Sequence, residues 1–334
     1  MPFPGEPEAR PPYRGGAGTV TKYILNRVLG SLGVLLVLSI LIFFAGRGLV
    51  GGSPANVIAG SQATPERILE IEKELGLDRP IVVQYLDWLW NVLRGDFGTS
   101  PISGLKTTAV LQQQIPVSFE LAALSLLVAI VIGVPLGVIA AKRAGSAIDV
   151  TIRVPMILLF AIPGFITGTI AIILATNFLT NLYSPTYIRF EQSPIGNLQT
   201  MILPAIGVGI PTAPLIMQMT RASMIEVLQQ PFVASARVNG LSDRLVTYGY
   251  ALRAALPPIL TFVGFTFGSL IGGLLIVEQI FSLPGLGRGI LQSIGTRDFV
   301  QLNAQALVLA SAFILANLVV DLLVPALDRR IARK

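Results

Sequence analysis

The sequence VSFELAALSLLVAIVIGVPLGVIAA at residues 117–141 decides the fold, because it runs for 25 residues with Glu120 as its one charged side chain. About 20 mostly apolar residues are enough for a helix to cross a bilayer. Five further stretches have similar length and character, and charged residues such as Glu278 and Asp321 fall at their ends, where a side chain can reach headgroups or water. These five stretches are residues 23–44, 154–176, 201–218, 256–277 and 303–326. The sequence therefore predicts an all-α membrane protein with six transmembrane helices.

Composition excludes several kinds of chemistry. Of the 334 residues 53% are apolar and 13% are charged, about half the charged share of an average soluble domain, which argues against a soluble enzyme. The chain has no Cys and no His, so disulfides, thiolate chemistry and imidazole-based metal sites or catalysis are excluded. The sequence has no GxxxxGK[ST] phosphate loop, and the PGLGRG run at 284–289 is better interpreted as a tight outer turn or a re-entrant element. We therefore predict no catalytic residue, cofactor site or metal site in this chain.

The basic residues indicate orientation. A net charge of +6 could indicate nucleic-acid binding, but most of the 24 Lys and Arg residues fall on one side if the N-terminus is cytoplasmic. The short outer loops then hold only Arg189, Arg288 and Arg297, as the positive-inside rule requires. The excess charge thus predicts cytoplasmic N- and C-termini in a lipid membrane, with no nucleic-acid partner.

The remaining segments suggest four regions. Residues 1–20, rich in Pro and Gly, are predicted as a disordered cytoplasmic tail, followed by a first transmembrane helix at 21–46. Residues 47–116 are predicted as an extracytoplasmic helical segment, with one helix from Thr64 to Gly76 and another from Pro80 to Arg94. This segment could be a hairpin that packs on itself, or an outer platform that meets a delivery protein or covers the pore mouth. Residues 112–328 form the core, which contains a cytoplasmic loop at about 221–253.

The cytoplasmic loop is too long for a simple connection between spans. Pro231 can begin a helix, Gly240 can end it, and Ser242 or Asp243 can cap the next one, which predicts a helix–turn–helix on the inner membrane face. Small residues at 234–236 would let another backbone approach closely. The pair could simply anchor the bundle, or it could dock a partner protein.

Several segments resemble one known family. ASARVNG at 234–240 is similar to the EAA motif of ABC-importer permeases, with Ala234 in place of the glutamate and Arg253 in place of the later proline. Both departures resemble the oligopeptide/dipeptide branch, which commonly reads TARAKGL and HALRNAL there. The segments at 75–100, 115–141, 275–290 and 317–331 resemble the same branch in the same order, so the resemblance covers about residues 22–332.

The resemblance implies a type I ABC-importer permease fold and half of a translocation pathway for di- or oligopeptides in a bacterial inner membrane. It also implies three partners: a second homologous permease that forms a heterodimer, two ATP-binding-cassette domains that bind ATP and Mg, and an extracytoplasmic substrate-binding protein. The contact with the ATPase, the coupling helix, would centre on residues 232–241. The residues carried over to it are Phe232, Ala234, Ser235, Ala236, Arg237, Gly240 and Leu241.

Alternatives remain open for the polar residues and the substrate. Four side chains could line the pore or form interhelical hydrogen bonds: Asn177, Gln218, Asn303 and Asn317. The fourth span is expected to be broken by its three prolines, and prolines in spans three, four and five could be bending points or static kinks. The same family also imports nickel, haem, glutathione and other small solutes. An ion-coupled secondary carrier would need ionisable groups at the membrane midplane and an internal repeat, and the sequence shows neither.

Overall fold

The computed structural model describes residues 17–49, 54–59, 63–74, 76–178, 184 and 186–327. The regular elements in these ranges are helical. The α-helices are α1 (Ala17–Leu49), α2 (Pro54–Ala59), α3 (Pro65–Glu74), α4 (Ile81–Leu93), α5 (Thr107–Lys142), α6 (Ala147–Phe160), α7 (Gly164–Phe178), α8 (Pro194–Leu228), α9 (Pro231–Val238), α10 (Leu252–Gly273), α11 (Leu275–Ile280), α12 (Leu286–Thr296) and α13 (Phe299–Leu327), and a π-helix (Leu245–Ala251) precedes α10.

Five of these helices are long and apolar enough to cross a membrane: α1, α5, α8, α13, and α10 together with its preceding π-helix. The pair α6 and α7 passes the same test but is bent by 94°, so the count is six if that pair is one span. The bend falls at residues 161–163, where Pro163 lacks a backbone N–H and restricts the residue before it. The all-α membrane fold is confirmed, and the third predicted span is a bent pair of helices.

The fourth span is continuous, so the predicted break at its prolines is wrong. Pro204, Pro211 and Pro214 all lie inside the single helix α8. Pro211 cannot donate to the carbonyl of Gly207, one turn earlier, and the hydroxyl of Thr167 on α7 donates to that carbonyl instead. A neighbouring helix thus supplies a hydrogen bond that the proline removes, as is typical inside a membrane bundle.

The core of the bundle is the contact between α5 and α8. A Cβ added to Gly133 would lie 2.7 Å from the carbonyl oxygen of Ala213, and a Cβ added to Gly209 would lie 2.5 Å from that of Ser125. Glycine is therefore required on both helices, because each backbone lies directly against the other. Small residues of this kind allow the close packing that drives helix association in lipid.

The helix boundaries refine the predicted regions. Helix α1 begins at Ala17, inside the predicted tail, and residues 1–16 lie outside the described part of the chain. Helix α3 begins at Pro65 with Thr64 accepting from the backbone N–H of Arg67, and α4 matches its predicted bounds to within one residue. Helix α5 begins at Thr107, ten residues before the predicted span. Glu120 consequently lies in the body of α5, where it accepts a hydrogen bond from Asn197 at 3.3 Å.

The segment between α1 and α5, which is predicted to lie outside the membrane and is called the outer segment, packs on the bundle. On α4, the hydroxyl of Tyr85 lies 2.8 Å from the Ser39 hydroxyl of α1, and the rings of Tyr85 and Trp88 lie 5.5 and 5.4 Å from that of Phe43. Farther along, the buried Ser100 donates to the carboxylate of Asp298, which begins α13. These contacts hold the outer segment against both α1 and the corner between α12 and α13.

Glu278 does not reach headgroups or water as its position in the sequence suggested. It is 1% exposed, and its carboxylate accepts from the hydroxyl of Ser118 at 2.6 Å and from the backbone N–H of Arg288 at 3.0 Å. The chain turns back after α11 and brings the N-terminus of α12, a favourable place for a carboxylate, onto this side chain. A Cβ on Gly285 would lie 2.4 Å from the carboxylate, so the PGLGRG run is a tight turn around Glu278.

Candidate functional site

Helix α9, the predicted coupling helix, has two distinct faces. Val233 is fully buried and Ala236 is 8% exposed, and both pack into a cluster with residues of α5, α8 and α10. Phe232 is 44% exposed and Val238 is 88% exposed. A short helix held by one face therefore presents apolar side chains on the other, an arrangement suited to a partner surface.

The structure places the seven predicted coupling residues in different environments. Phe232, Ala234, Ser235 and Arg237 are exposed, and Gly240 is exposed at the end of the helix. Ala236 and Leu241 instead belong to the buried or half-buried packing against the bundle. The sequence pattern therefore combines residues that anchor the helix with residues that remain available to a partner, and it omits the highly exposed Val238.

Gly240 is required by the turn that ends α9. Its φ is +77°, its N–H donates to Arg237 at 3.0 Å, and the N–H of Leu241 donates to Ala236 at 3.3 Å. These two bonds are the Schellman arrangement, in which glycine is favoured because it has no Cβ. A Cβ at Gly240 would meet nothing within 4 Å, so its conformation, and not contact within this chain, accounts for the glycine.

Asp243 connects the turn after α9 to α5. Its carboxylate accepts from the ammonium of Lys142 at 2.5 Å, and the guanidinium of Arg237 lies 3.9 Å away. The hydrogen bond from Lys142 lowers the pKa of Asp243 below its ordinary value. Helix α9 is thus joined to the C-terminal end of α5 by charge as well as by apolar packing.

The second helix of the predicted helix–turn–helix is not separate from span five. The backbone N–H of Leu245 donates to the hydroxyl of Ser242 at 3.4 Å, as the capping pattern predicted. The helix that starts there is a π-helix for seven residues and then continues as α10. Short π-helical segments occur frequently at functional sites, and this one directly connects α9 to a transmembrane helix.

A second ionic contact, which the sequence did not predict, joins α6 to α8. Two of the three nitrogens of the Arg221 guanidinium, Nε and Nη2, donate to Asp149 at 2.8 and 2.7 Å, and the side chain of Asp149 is only 2% exposed. The N–H of Gly145 donates to the same carboxylate at 3.0 Å. The two residues are 72 positions apart, and each looks ordinary at the end of an apolar stretch.

The four polar residues predicted in or near the spans do not converge. The amides of Asn177 and Asn317 each donate to a carbonyl of their own helix, at 2.7 and 2.9 Å. Gln218 is exposed on α8. Asn303 is buried near the N-terminal end of α13, and its Oδ1 atom has no hydrogen-bond partner among the described residues.

A cavity of about 330 Å³ lies where the bend between α6 and α7 meets α8 and α10. Its lining is mainly apolar, with Pro163 at the bend and Pro211 on α8. The hydroxyl-bearing residues Thr212, Thr266 and Ser269 supply its polar groups. Two of the prolines singled out in the sequence therefore border one weakly polar cavity.

Two family profiles cover most of the chain. The profile of the binding-protein-dependent transport system inner membrane component matches residues 133–333, and that of the N-terminal region of the same membrane component matches residues 20–105. The chain belongs to this family. The permease is therefore a multi-pass inner-membrane subunit of a binding-protein-dependent transport system, and the family resemblance seen in the sequence is confirmed.

Named relatives support the family assignment. The permease is 37% identical over 312 residues to a peptide transport system permease protein of Brucella suis, covering 93% of this chain and 99% of that one. It is 33% identical over 309 residues to a peptide ABC transporter permease protein of Sinorhizobium fredii, with 92% and 98% covered. It is 33% identical over 315 residues to the glutathione transport system permease protein GsiC of Salmonella typhimurium, with 93% and 99% covered.

A solved structure supports the fold. The structure titled inward facing conformations of the MetNI methionine ABC transporter matches with a TM-score of 0.54 and 19% identity, covering 66% of this chain and 97% of that chain. At this identity the match concerns the fold alone. Together with the helical architecture it confirms the ABC-importer permease fold of the chain.

Proposed function

We propose that the permease forms one half of the translocation pathway of an ATP-driven peptide importer, next to a second, homologous permease subunit. The observation that carries the proposal is α9, which is anchored through Val233 and Ala236 and exposes Phe232 and Val238. Relatives named as peptide and glutathione permeases support a peptide substrate. Di- and oligopeptides are the substrate class we propose.

In this proposal α9 docks on an ATP-binding-cassette subunit, and ATP and Mg are bound by that partner. Closure of two such ATPases moves the docked helix, which is attached to α5 through Asp243 and to α10 through the π-helix. Energy from the ATPase thus becomes a coupling free energy between the nucleotide site and the pathway. The permease itself carries out no chemical step.

The cavity beside the 161–163 bend is the part of the pathway wall that we assign to this chain. Its apolar surface with three hydroxyl-bearing residues offers few directional contacts. Such a wall suits peptides of varied sequence, because tight side-chain contacts would favour particular ones. Glutathione, itself a tripeptide, is the second candidate substrate, and the GsiC relative favours it. Nickel and haem remain less well supported, since the chain has no His or Cys to coordinate either.

The orientation completes the proposal. We place both termini and α9 in the cytoplasm and the segment from α2 to α4 outside, where a substrate-binding protein would deliver the peptide. The basic residues of the short loops support this orientation.

Affinity purification of the tagged permease in mild detergent tests the assembly. We expect a second six-span permease and P-loop ATPases to co-purify, and proteoliposomes made from that complex and its binding protein to accumulate peptides only with ATP. The matched control is the same complex with ATPase subunits that bind but do not hydrolyse ATP. Recovery of the permease alone under several gentle conditions, or peptide accumulation that is independent of ATP, would contradict the proposal.

A further inference from the structure

A second cavity, of about 380 Å³, lies on the outer side of the permease. It is enclosed by α4, by the turn that follows α4, and by the corner between α12 and α13. The buried contact between Ser100 and Asp298 holds these two sides together. Its volume falls within the range of small-molecule binding sites, which are about 300–1,000 Å³.

The corner between α12 and α13 contributes two polar residues to the lining of this cavity. Arg297 lines the cavity, takes part in none of the ion pairs of the described residues, and has a left-handed backbone with φ of +58°. Asn303 also lines it, and its buried Oδ1 atom accepts no hydrogen bond. An unsatisfied buried acceptor and an uncommon backbone conformation in one cavity are both features that functional sites favour.

The opposite side supplies a carboxylate. Asp96 lines the cavity, and its Oδ1 atom accepts from the backbone N–H of Gly98 at 2.9 Å. Its side chain is not engaged in any of the ion pairs of the described residues. Arg79 and Asp87, which also line the cavity, pair with each other at 2.9 Å and so largely neutralise one another. Outside the ion pairs of the described residues, the lining therefore offers one cation and one anion, together with the neutral polar side chains of Gln84, Asn91 and Thr99.

Aromatic side chains form much of the remaining lining. Trp88, Phe97 and Phe299 all face the cavity, and Phe299 is buried. Aromatic rings offer large apolar surface without demanding a particular partner. The cavity thus combines separated charges of both signs with an apolar surface that tolerates different side chains.

We propose that this outer cavity is a binding site for a short peptide with free termini. The peptide carboxylate pairs with Arg297, its ammonium group donates to Asp96, and its side chains lie against the aromatic rings. The site would hold the peptide between release from the binding protein and entry into the pathway. This inference rests on the proposed peptide substrate and adds a location and a mode of recognition.

The test uses the complete transporter in lipid nanodiscs without its binding protein. The probe is trialanine with one side chain replaced by a photoreactive diazirine, and its matched form is the same peptide with a C-terminal amide. We expect the free peptide to label residues of the outer cavity, and the amide to require about tenfold more peptide for equal labelling, because a charge-assisted hydrogen bond is lost. In the Arg297→Asn variant, which keeps a residue tolerant of the left-handed backbone, both peptides should label equally weakly.

Arg94→Asn is the matched control, because Arg94 lies on the same outer segment over the ring of Trp90 and does not line the cavity. It should leave the preference for the free carboxylate unchanged. An equal response to both peptides in the unchanged protein, or labelling confined to residues outside the cavity, would overturn the proposal. Displacement of the probe by glycerophosphoethanolamine would assign the cavity to a lipid headgroup and would also overturn it. If ATP-dependent peptide import is intact while the cavity stays unlabelled, this inference fails and the proposed function stands.

Discussion

Two valines on opposite faces of α9 allow a direct test of the coupling helix. Val233 is fully buried against the bundle, whereas Val238, five residues later on the same helix, is 88% exposed. Changing either to Ala removes the same two carbon atoms and does not lower helix propensity. A difference between Val233→Ala and Val238→Ala therefore reports where each side chain is buried, either within the permease or against a partner.

The expected magnitudes follow from burial. Burying two carbon atoms away from water is favourable by about 1.6 kcal/mol of transfer free energy. Val233→Ala should lower the free energy of unfolding of the permease by about 2–3 kcal/mol. The loss exceeds the transfer free energy because the surrounding side chains relax only partly and leave a small cavity where the two methyl groups were. Val238→Ala should leave that quantity unchanged within about 0.5 kcal/mol. If docking buries Val238, the same 1.6 kcal/mol appears in association with the ATPase, a loss of about 15-fold in affinity.

Two assays on the same preparations separate the effects. Thermal unfolding of the solubilised permease, followed by the fluorescence of Trp88 and Trp90, reports stability, and titration with the purified ATPase subunit reports the Kd. The reasoning would be refuted if Val238→Ala lowered the unfolding midpoint as much as Val233→Ala, or if it left the Kd unchanged.

Three further contacts give predictions that thermal unfolding of purified variants can check. Asp149→Asn should destabilise the permease by about 1–3 kcal/mol, because it leaves the partly buried guanidinium of Arg221 without its carboxylate partner. Asp243→Asn, at an exposed ion pair, should cost less than about 1 kcal/mol; equal losses would contradict the assignment. Gly209→Ala should destabilise the permease, because the added Cβ would meet the backbone of α5. Gly30→Ala adds a Cβ with nothing within 4 Å and should stabilise the permease by up to about 1 kcal/mol. Two changes of the same sign would refute the backbone contact. Thr167→Val should cost about 1–3 kcal/mol by leaving a carbonyl of α8 without a donor, and Thr167→Ser should restore most of the loss; a Ser variant as unstable as the Val variant would show that the hydroxyl is not what matters.

Local patterns predicted the helices and their ends well. The start of α3 at Pro65, the start of α9 at Pro231 and the glycine that ends α9 all depend on neighbours within a few residues. The apolar stretches could likewise be recognised from their length, because a helix needs about 20 apolar residues to cross a bilayer. These features can be predicted from the sequence because the residues that determine them are close together along the chain.

Contacts between distant residues were not predictable in the same way. The partner of Arg221 is 72 residues away, that of Ser100 is 198 residues away, and that of Glu278 is 160 residues away. Arg221 and Glu278 lie beside apolar stretches, where exposure to headgroups or water is the simpler expectation, and Ser100 lies in the segment between the first two predicted spans. The continuity of α8 depended in the same way on Thr167, a residue of another helix.

These distant contacts also determine how motion at α9 can reach the pathway. At the end of the bundle that carries α9, Asp243 joins the end of α9 to α5, and Asp149 joins α6 to α8. Helices α5 and α8 then lie backbone against backbone along their length, so a displacement of either one carries the other. Among the membrane-length helices of the described residues, α6 and α7 are the pair that a 94° bend separates, and that bend borders the weakly polar cavity. A displacement of α9 would therefore move α5 and α8 as one body and change the shape of the cavity at its edge. There α7 can adjust its angle at residues 161–163. A change between two such arrangements is the discrete rearrangement that alternating access needs.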